Sequence, residues 1–283
     1  MSDTGPPPTS PREPGEDELE RQLDGARMSE GAAAGLGPAQ VTVTAQPPAV
    51  PASLPVYRYF AAHAADRDAV AAGVGARAAS GSAVYEGAGF RLTFDEKPRN
   101  GREPTFQLAA PGGAPAGSPP AAADARRAAD EFLDSHRLLP SWPAEVTVEA
   151  QPSSALVRYQ RQFDVPGVGR VPQVDGTGSP AGLEVVVAPD RSVTLVTGPV
   201  PLAVESRPYR TRPPAQAARD AAGQPSAAAP TVALDRVRLV YVAVADGDQG
   251  YFVPGYLFSG GGTPGQPPER RVLVPALDAS ALR

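Results

Sequence analysis

The side chains able to do chemistry in this chain are few and poorly spaced for catalysis. It has two histidines, His63 and His136, and no cysteine. A zinc site would need both histidines plus carboxylates, and neither stands in an HExxH or comparable spacing. No serine has glycine at both −2 and +2, so the GxSxG nucleophile elbow is missing. The lack of cysteine also removes thiolate nucleophiles and disulfides, and leaves the redox compartment open. Asp66 with Asp68, and Glu145 with Glu149, are spaced as exposed charges, without the burial that separates two carboxylate pKa values into acid and base roles. The expectation is a chain with no catalytic, cofactor-binding or metal-binding residues. His136 falls in the last turn of an expected helix, where an imidazole favours the helix dipole.

Two glycine-rich stretches resemble ligand loops only on the surface. "GVGARA" (73–78) ends a helical pattern instead of following a strand, so its glycines do not bring amides to a phosphate at a helix start. "DGDQG" (246–250) opens like a calcium loop but lacks the later bidentate Glu. It reads as a hairpin turn, with an adventitious cation site as the alternative.

The elements that must carry these residues follow from hydrophobic period. A helix with Asp66 as N-cap is expected in "DRDAVAAGVGARA", followed by the alternating strand "GFRLTF". Ser118 and Pro119 form an N-cap and N1 pair for "AAADARRAADEFLDSHRLLP", which sets Ala125, Ala128, Ala129, Phe132 and Leu133 on one face. Strands follow at "VTVEA", "ALVRYQRQFDV", "GLEVVVA" and "SVTLVTG", joined by the hairpin turns "PGVGR" and "APDRS". Thr211 is expected to cap "RPPAQAARDAA", with Gly223 past its end, before strands at 236–245, 250–258 and 270–277. "VRLVYVAV" is apolar on both faces and belongs inside a sheet. The expected fold class is α+β: repeated helix-plus-antiparallel-strands units, with helices packed on one face of a curved sheet. The units run 55–111, 118–207 and 208–283, after an acidic, Pro-rich tail over 1–54 that is expected to be disordered. Within that tail "EDELERQLDGARM" spaces Leu19 and Leu23 for a short helix.

Charge and composition exclude further classes. The 283 residues are 41% hydrophobic, enough for a core. Asp3, Glu13, Glu16, Asp17, Glu18, Glu20, Asp24 and Glu30 stand against Arg12, Arg21 and Arg27, so residues 1–30 alone carry the whole chain's net charge of −5. A neutral body with an acidic tail is a poor match for phosphates, and no nucleic-acid partner is expected. No apolar run reaches the 18 or more residues of a membrane helix, and the N-terminus lacks a signal-peptide pattern.

Two residue groups point to recognition. In "ALVRYQRQFDV" the set Val157, Tyr159, Arg161, Phe163 and Val165 should face the core, so Arg161 lands on the apolar side while Arg158, Gln160, Gln162 and Asp164 face water. An inward arginine must be paired. Glu184 and Glu205 are its candidate internal partners, and a carboxylate on a binding partner is the alternative. In "YVAVADGDQGYFVPGYLFSGG" Pro254 cannot donate to a ladder, so Val253 to Gly255 is expected to be a bulge or sheet edge that re-aims Tyr256 and Phe258. With Tyr251, and with the loop "SGGGTPGQPPER" beside them, these residues make an edge where an extended partner adds, or a device that blocks aggregation. Arg161, Tyr251, Pro254, Tyr256 and Phe258 are the candidate partner-binding residues.

The pieces "PVYRYF", "FLDSHRLLP" with "VRYQRQFDVPGVGRVP", "GLEVVVAPDRSVTLVTGPV", "VRLVYVAVADGDQGYFVPGYLFSG" and "VLVPALD" together resemble the tandem PepSY-like repeat proteins of bacterial envelopes, over roughly residues 55–280. The resemblance implies a non-catalytic extracytoplasmic module that regulates or binds an envelope protein or peptide, with no cofactor. It also implies an exported or anchored location through an N-terminal segment missing here; the chain as written would be cytoplasmic. The competing expectations are a carboxylate-dependent hydrolase and a structural spacer.

Overall fold

The computed structural model describes residues 40–78, 84–87, 89–99, 101–111, 115–222, 231–261 and 269–278. The expected helix around Leu19 and Leu23, the glycine at 223 and residues 262–268 of the expected loop lie outside the described residues.

The described chain begins with β1 (Gln40–Val43) and β2 (Ser53–Phe60), then α1 (Ala64–Gly73). Short strands follow: β3 (Arg77–Ala78), β4 (Tyr85–Gly87), β5 (Phe90–Asp95) and β6 (Thr105–Ala109). After α2 (Ala122–Ser135) come β7 (Ala144–Gln151), β8 (Ser154–Val165), β9 (Gly169–Val174), β10 (Gly182–Val187), β11 (Val193–Pro199) and β12 (Glu205–Arg210). Helix α3 (Pro214–Ala222) precedes β13 (Thr231–Leu234), β14 (Arg236–Asp246), β15 (Gln249–Gly260) and β16 (Arg270–Pro275).

The α+β expectation is corrected here. Strand makes up 51% of the described residues and helix 16%, so the protein is mostly β. Fourteen strands form a single mixed sheet in the order β12-β2-β15-β14-β9-β8-β10-β11-β6-β5-β4-β3, with β16 beside β15 and β7 beside β8. Helix-plus-strand repeats are not formed, because strands from distant segments interleave: β2 lies between β12 and β15, and β6 pairs β11. Hydrophobic period identifies a strand but carries no information about its neighbour. The one parallel junction in this sheet, β9 with β14 at Tyr241↔Gln173 and Val242↔Val174, joins its two halves. Strand β1 pairs β13 in parallel register, and β2 begins at Ser53, so two strand segments fall within residues 40–54.

The helix starts differ from the expected caps. His63 caps α1, and Asp66, three residues inside, accepts the His63 N–H at 2.8 Å. Helix α2 begins at Ala122, after Ala121, so Ser118 and Pro119 precede it. Its buried face is Ala125, Ala129 and Leu133, with Ala128 and Phe132 half-buried beside them, as the spacing required.

Each half has its own core. Under α2, Leu92, Leu108, Val157, Val185 and Val196 are fully buried. Beside α3, Phe163, Tyr241, Phe252, Tyr256 and Phe258 cluster with Ala217 and Ala221. Burying each large side chain contributes about 1.5–3 kcal/mol.

The tyrosines give this core a pH signature. Burial, before any charge effect, raises the phenols of Tyr57, Tyr59, Tyr159, Tyr241, Tyr251 and Tyr256 above their ordinary value, Tyr251 to about 12. A second push on Tyr159 is its 2.6 Å hydrogen bond to Asp130 Oδ1, and on Tyr59 the charge of Glu103. A raised folded pKa means the stabilisation is fully present below the unfolded value of about 10 and is lost as pH rises through the folded value. We expect fluorescence-monitored stability to fall steadily above about pH 10, with tyrosinate absorbance appearing in step with unfolding. Full tyrosine ionisation in a folded protein at that pH would contradict this.

Candidate functional site

Arg161 faces the apolar side of β8, as its place in the alternation required, and is 7% exposed. Its carboxylate is neither of the two expected. Glu184 pairs with Arg158 at 2.8 Å and Glu205 with Arg58 at 2.6 Å. The partner is Glu103, 2.7 Å from Arg161 Nη1 and itself 6% exposed. Glu103 comes from the β5–β6 connection, a segment that reads as an exposed turn, so nothing in the sequence announced it.

The other carboxylate oxygen of Glu103 accepts Gln173 Nε2 at 2.9 Å, and the Gln173 carbonyl accepts Gln160 Nε2 at 2.7 Å. Gln160 and Gln162 are buried too, where alternation had set them toward water. The guanidinium of Arg161 lies over the rings of Trp142 (4.7 Å) and Phe252 (5.1 Å). Flat aromatic faces suit a delocalised cation that has lost its water.

This cluster lies where the two halves of the sheet meet, since Arg161 is on β8, Gln173 on β9 and Phe252 on β15. The loop that delivers Glu103 also bonds across the junction: Gly101 N–H donates to the Ala243 carbonyl at 2.7 Å, and Lys97 meets Asp248 at 3.2 Å. Gly101 has φ +80°, and a Cβ there would come within 2.5 Å of Gly176 N, so the crossing requires glycine.

The other expected binding residues are core residues. β15 pairs β14 without a register shift from Arg236↔Ser259 to Asp246↔Gln249, and its other side is covered by β2 (residues 249–252) and β16 (residues 255–260). It is an interior strand, which corrects the bulged edge expected at Pro254. The reason is geometric. The Pro254 carbonyl accepts the Ala276 N–H at 2.9 Å. Donor and acceptor of one strand residue point the same way, so the donor that Pro254 lacks would also point away from β14. Tyr256 and Phe258 are 0% exposed and Tyr251 4%. Tyr251 packs on the opposite face of β15, with Val56, Val242 and Val253. The structure brings Arg161 to Phe252, and to none of Tyr251, Tyr256 or Phe258.

"DGDQG" is a two-residue hairpin turn, with Gly247 at φ +61° and a bond between Gln249 Nε2 and Asp246 Oδ2. "GVGARA" ends α1 and runs into β3. His136 caps α2, stacked on Phe132 at 4.1 Å with Nδ1 2.8 Å from the Phe132 carbonyl. Asp66, in the first turn of α1, accepts the N–H of the capping His63, and Asp68 accepts the Tyr85 hydroxyl at 3.4 Å. Among the described residues no group of three or more His, Asp or Glu side chains is placed to hold a metal ion. A surface groove beside α2 is lined by Phe90, Arg127, Glu131, Phe132 and Arg191, with Asp124 paired to Arg191 at 3.2 Å. No described helix is long and apolar enough to cross a membrane.

The accessible backbone of the molecule lies at its sheet edges. In the 14-stranded sheet β3, β7, β12 and β16 each have a strand neighbour on one side only, among the described residues, and β1 and β13 pair only with each other. A run apolar on both faces marks an interior strand, but the alternating period of β7 is shared by edge and interior strands alike, so this edge went unseen.

No family model matches the chain, and no curated protein matches it. A solved structure, the Bacillus megaterium YpeB C-terminal domain, is similar at 14% identity with a TM-score of 0.35, covering 78% of this chain and 95% of that one. A likeness at that level does not establish a shared fold.

Proposed function

We propose that this chain is a non-catalytic protein-binding module of the bacterial cell envelope, acting through an edge of its sheet. The observation that carries this reading is the set of four strands of the large sheet with one open side, because an unpaired row of backbone donors and acceptors is a template for an added strand. The envelope setting is supported by the resemblance of its segment order to PepSY-like repeat proteins.

The test uses the absence of cysteine. Thr147→Cys on β7, Ser206→Cys on β12 and Glu131→Cys on α2, each carrying a photocrosslinker, are presented as whole chain to envelope extracts of the native cells. A partner joined from an edge position and not from Glu131→Cys is the expected result, verified by binding to the purified partner. Crosslinks from none of them, or from α2 alone, would sink the reading.

A further inference from the structure

Resting on that reading, we infer that β7 is the receiving edge and that its partner is an extended segment in which apolar and basic residues alternate.

The four edges differ in how well they resist strand addition. β3 has two residues. β12 contains Pro208, and Asp278 N–H donates to the Arg210 carbonyl on its outer side, so residues 206, 208 and 210 point outward. Proline therefore interrupts that edge at its middle. β16 contains Pro275 and the neighbouring cations Arg270 and Arg271. Proline and charged side chains, lysine and arginine above all, are standard means of blunting an edge. β7 has no proline and no cation, its only charges being Glu145 and Glu149 on the exposed face: it is eight residues long, reads AEVTVEAQ, and pairs β8 in unbroken register from Ala144↔Arg161 to Gln151↔Ser154.

Alternation fixes which groups face outward. Gln162 N–H donates to the Pro143 carbonyl, so odd-numbered residues of this segment bond to β8. The backbone groups of Ala144, Val146, Val148 and Ala150 then point to the open side. Their side chains and those of their neighbours define what fits. Ala144, Val146 and Val148 lean on the core beneath α2. Glu145, Thr147 and Glu149 are exposed on the other face. The cation of β8 on that face, Arg158, is taken by Glu184 at 2.8 Å; Glu145 accepts a long hydrogen bond from Gln162 Nε2 at 3.4 Å and lies within electrostatic reach of Arg238 on β14, and no ion pair is made by Glu149 among the described residues. An added strand thus meets an apolar row and a carboxylate row, and opposite charges directly across strands attract.

The same charges disfavour a second copy as occupant. The antiparallel self-pairing that uses all four outward residues, Ala144 with Ala150 and Val146 with Val148, sets Glu145 against Glu149. Like charges directly opposite are destabilising.

The experiment measures fluorescence anisotropy of two capped nonapeptides on the whole chain: Val alternating with Lys and Thr, and the same with Glu for Lys. Binding of the basic peptide about tenfold tighter than the acidic one is expected, inverted by E145K/E149K. Val148→Pro removes an outward donor and leaves the β8 ladder intact, so it should weaken the basic peptide about tenfold. Equal binding of both peptides, no response to E145K/E149K, or no binding at all overturns the inference. So does a concentration-dependent dimer abolished by Val148→Pro, which would make a second copy the occupant. None of these touches the crosslinking result, so an edge partner captured from Ser206→Cys would leave the module reading standing while β7 falls.

Discussion

Arg161→Ala loses about 3–5 kcal/mol of stability, the range for removing one partner of a buried ion pair. The substitution leaves Glu103, 6% exposed, with only Gln173 at 2.9 Å to hold its charge. It also removes the cation held between Trp142 and Phe252 and opens space at the junction of the two half-sheets. Urea unfolding at neutral pH, with slope compared between variants, measures this. The double variant Arg161→Met, Glu103→Gln should recover part of the loss, since an apolar replacement avoids the uncompensated charge. Because Glu103 arrives on the loop that bridges the halves, protease cleavage between residues 97 and 104 should accelerate in Arg161→Ala alone. A loss below about 1 kcal/mol, the ordinary value of a surface pair, would mean the pair is solvated.

Phe258→Ala costs a similar amount, about 3–5 kcal/mol for a large aromatic removed from a packed core. Phe258 is 0% exposed, with Tyr256 beside it at 6.4 Å between centroids, and both belong to the core closed by α3. Phe258→Leu should cost appreciably less, because most of the volume is kept. The comparison separates a core role from a binding role. At a temperature where both variants are folded, binding to a captured partner should match the parent chain. A variant of parental stability that no longer binds would restore Phe258 to the surface role suggested by its sequence neighbourhood.

Both results turn on the difference between reading an element and reading its surroundings. The alternation in "ALVRYQRQFDV" placed Arg161 inward correctly, and the double-sided apolar run in "VRLVYVAV" marked an interior strand, which β14 is. What alternation lacks is the identity of the facing residue. Glu103 lies 58 positions from Arg161, in a loop with no apolar pattern, and the two meet where that loop and the parallel junction of β9 with β14 join the halves of the sheet. Pro254 misled for a related reason. Proline forbids a donor, and whether that donor was needed depends on which side of the strand it points to, which is a property of the ladder.

The sequence by itself determined, within a few residues, the three described helices and the strands β5, β7, β8, β10, β11, β14, β15 and β16, together with the inward arginine and the hairpin at Gly247, since these depend on local period and turn chemistry; the other eight strands, short or at sheet junctions, carried no period that announced them. Tertiary structure alone decided that the strands interleave in one 14-stranded sheet, that Tyr251, Tyr256 and Phe258 are core, and that β7 keeps an open edge. Strand pairing joins residues far apart in the chain through backbone groups that are identical in every residue except proline. Side-chain order therefore leaves pairing unspecified until the whole core is packed.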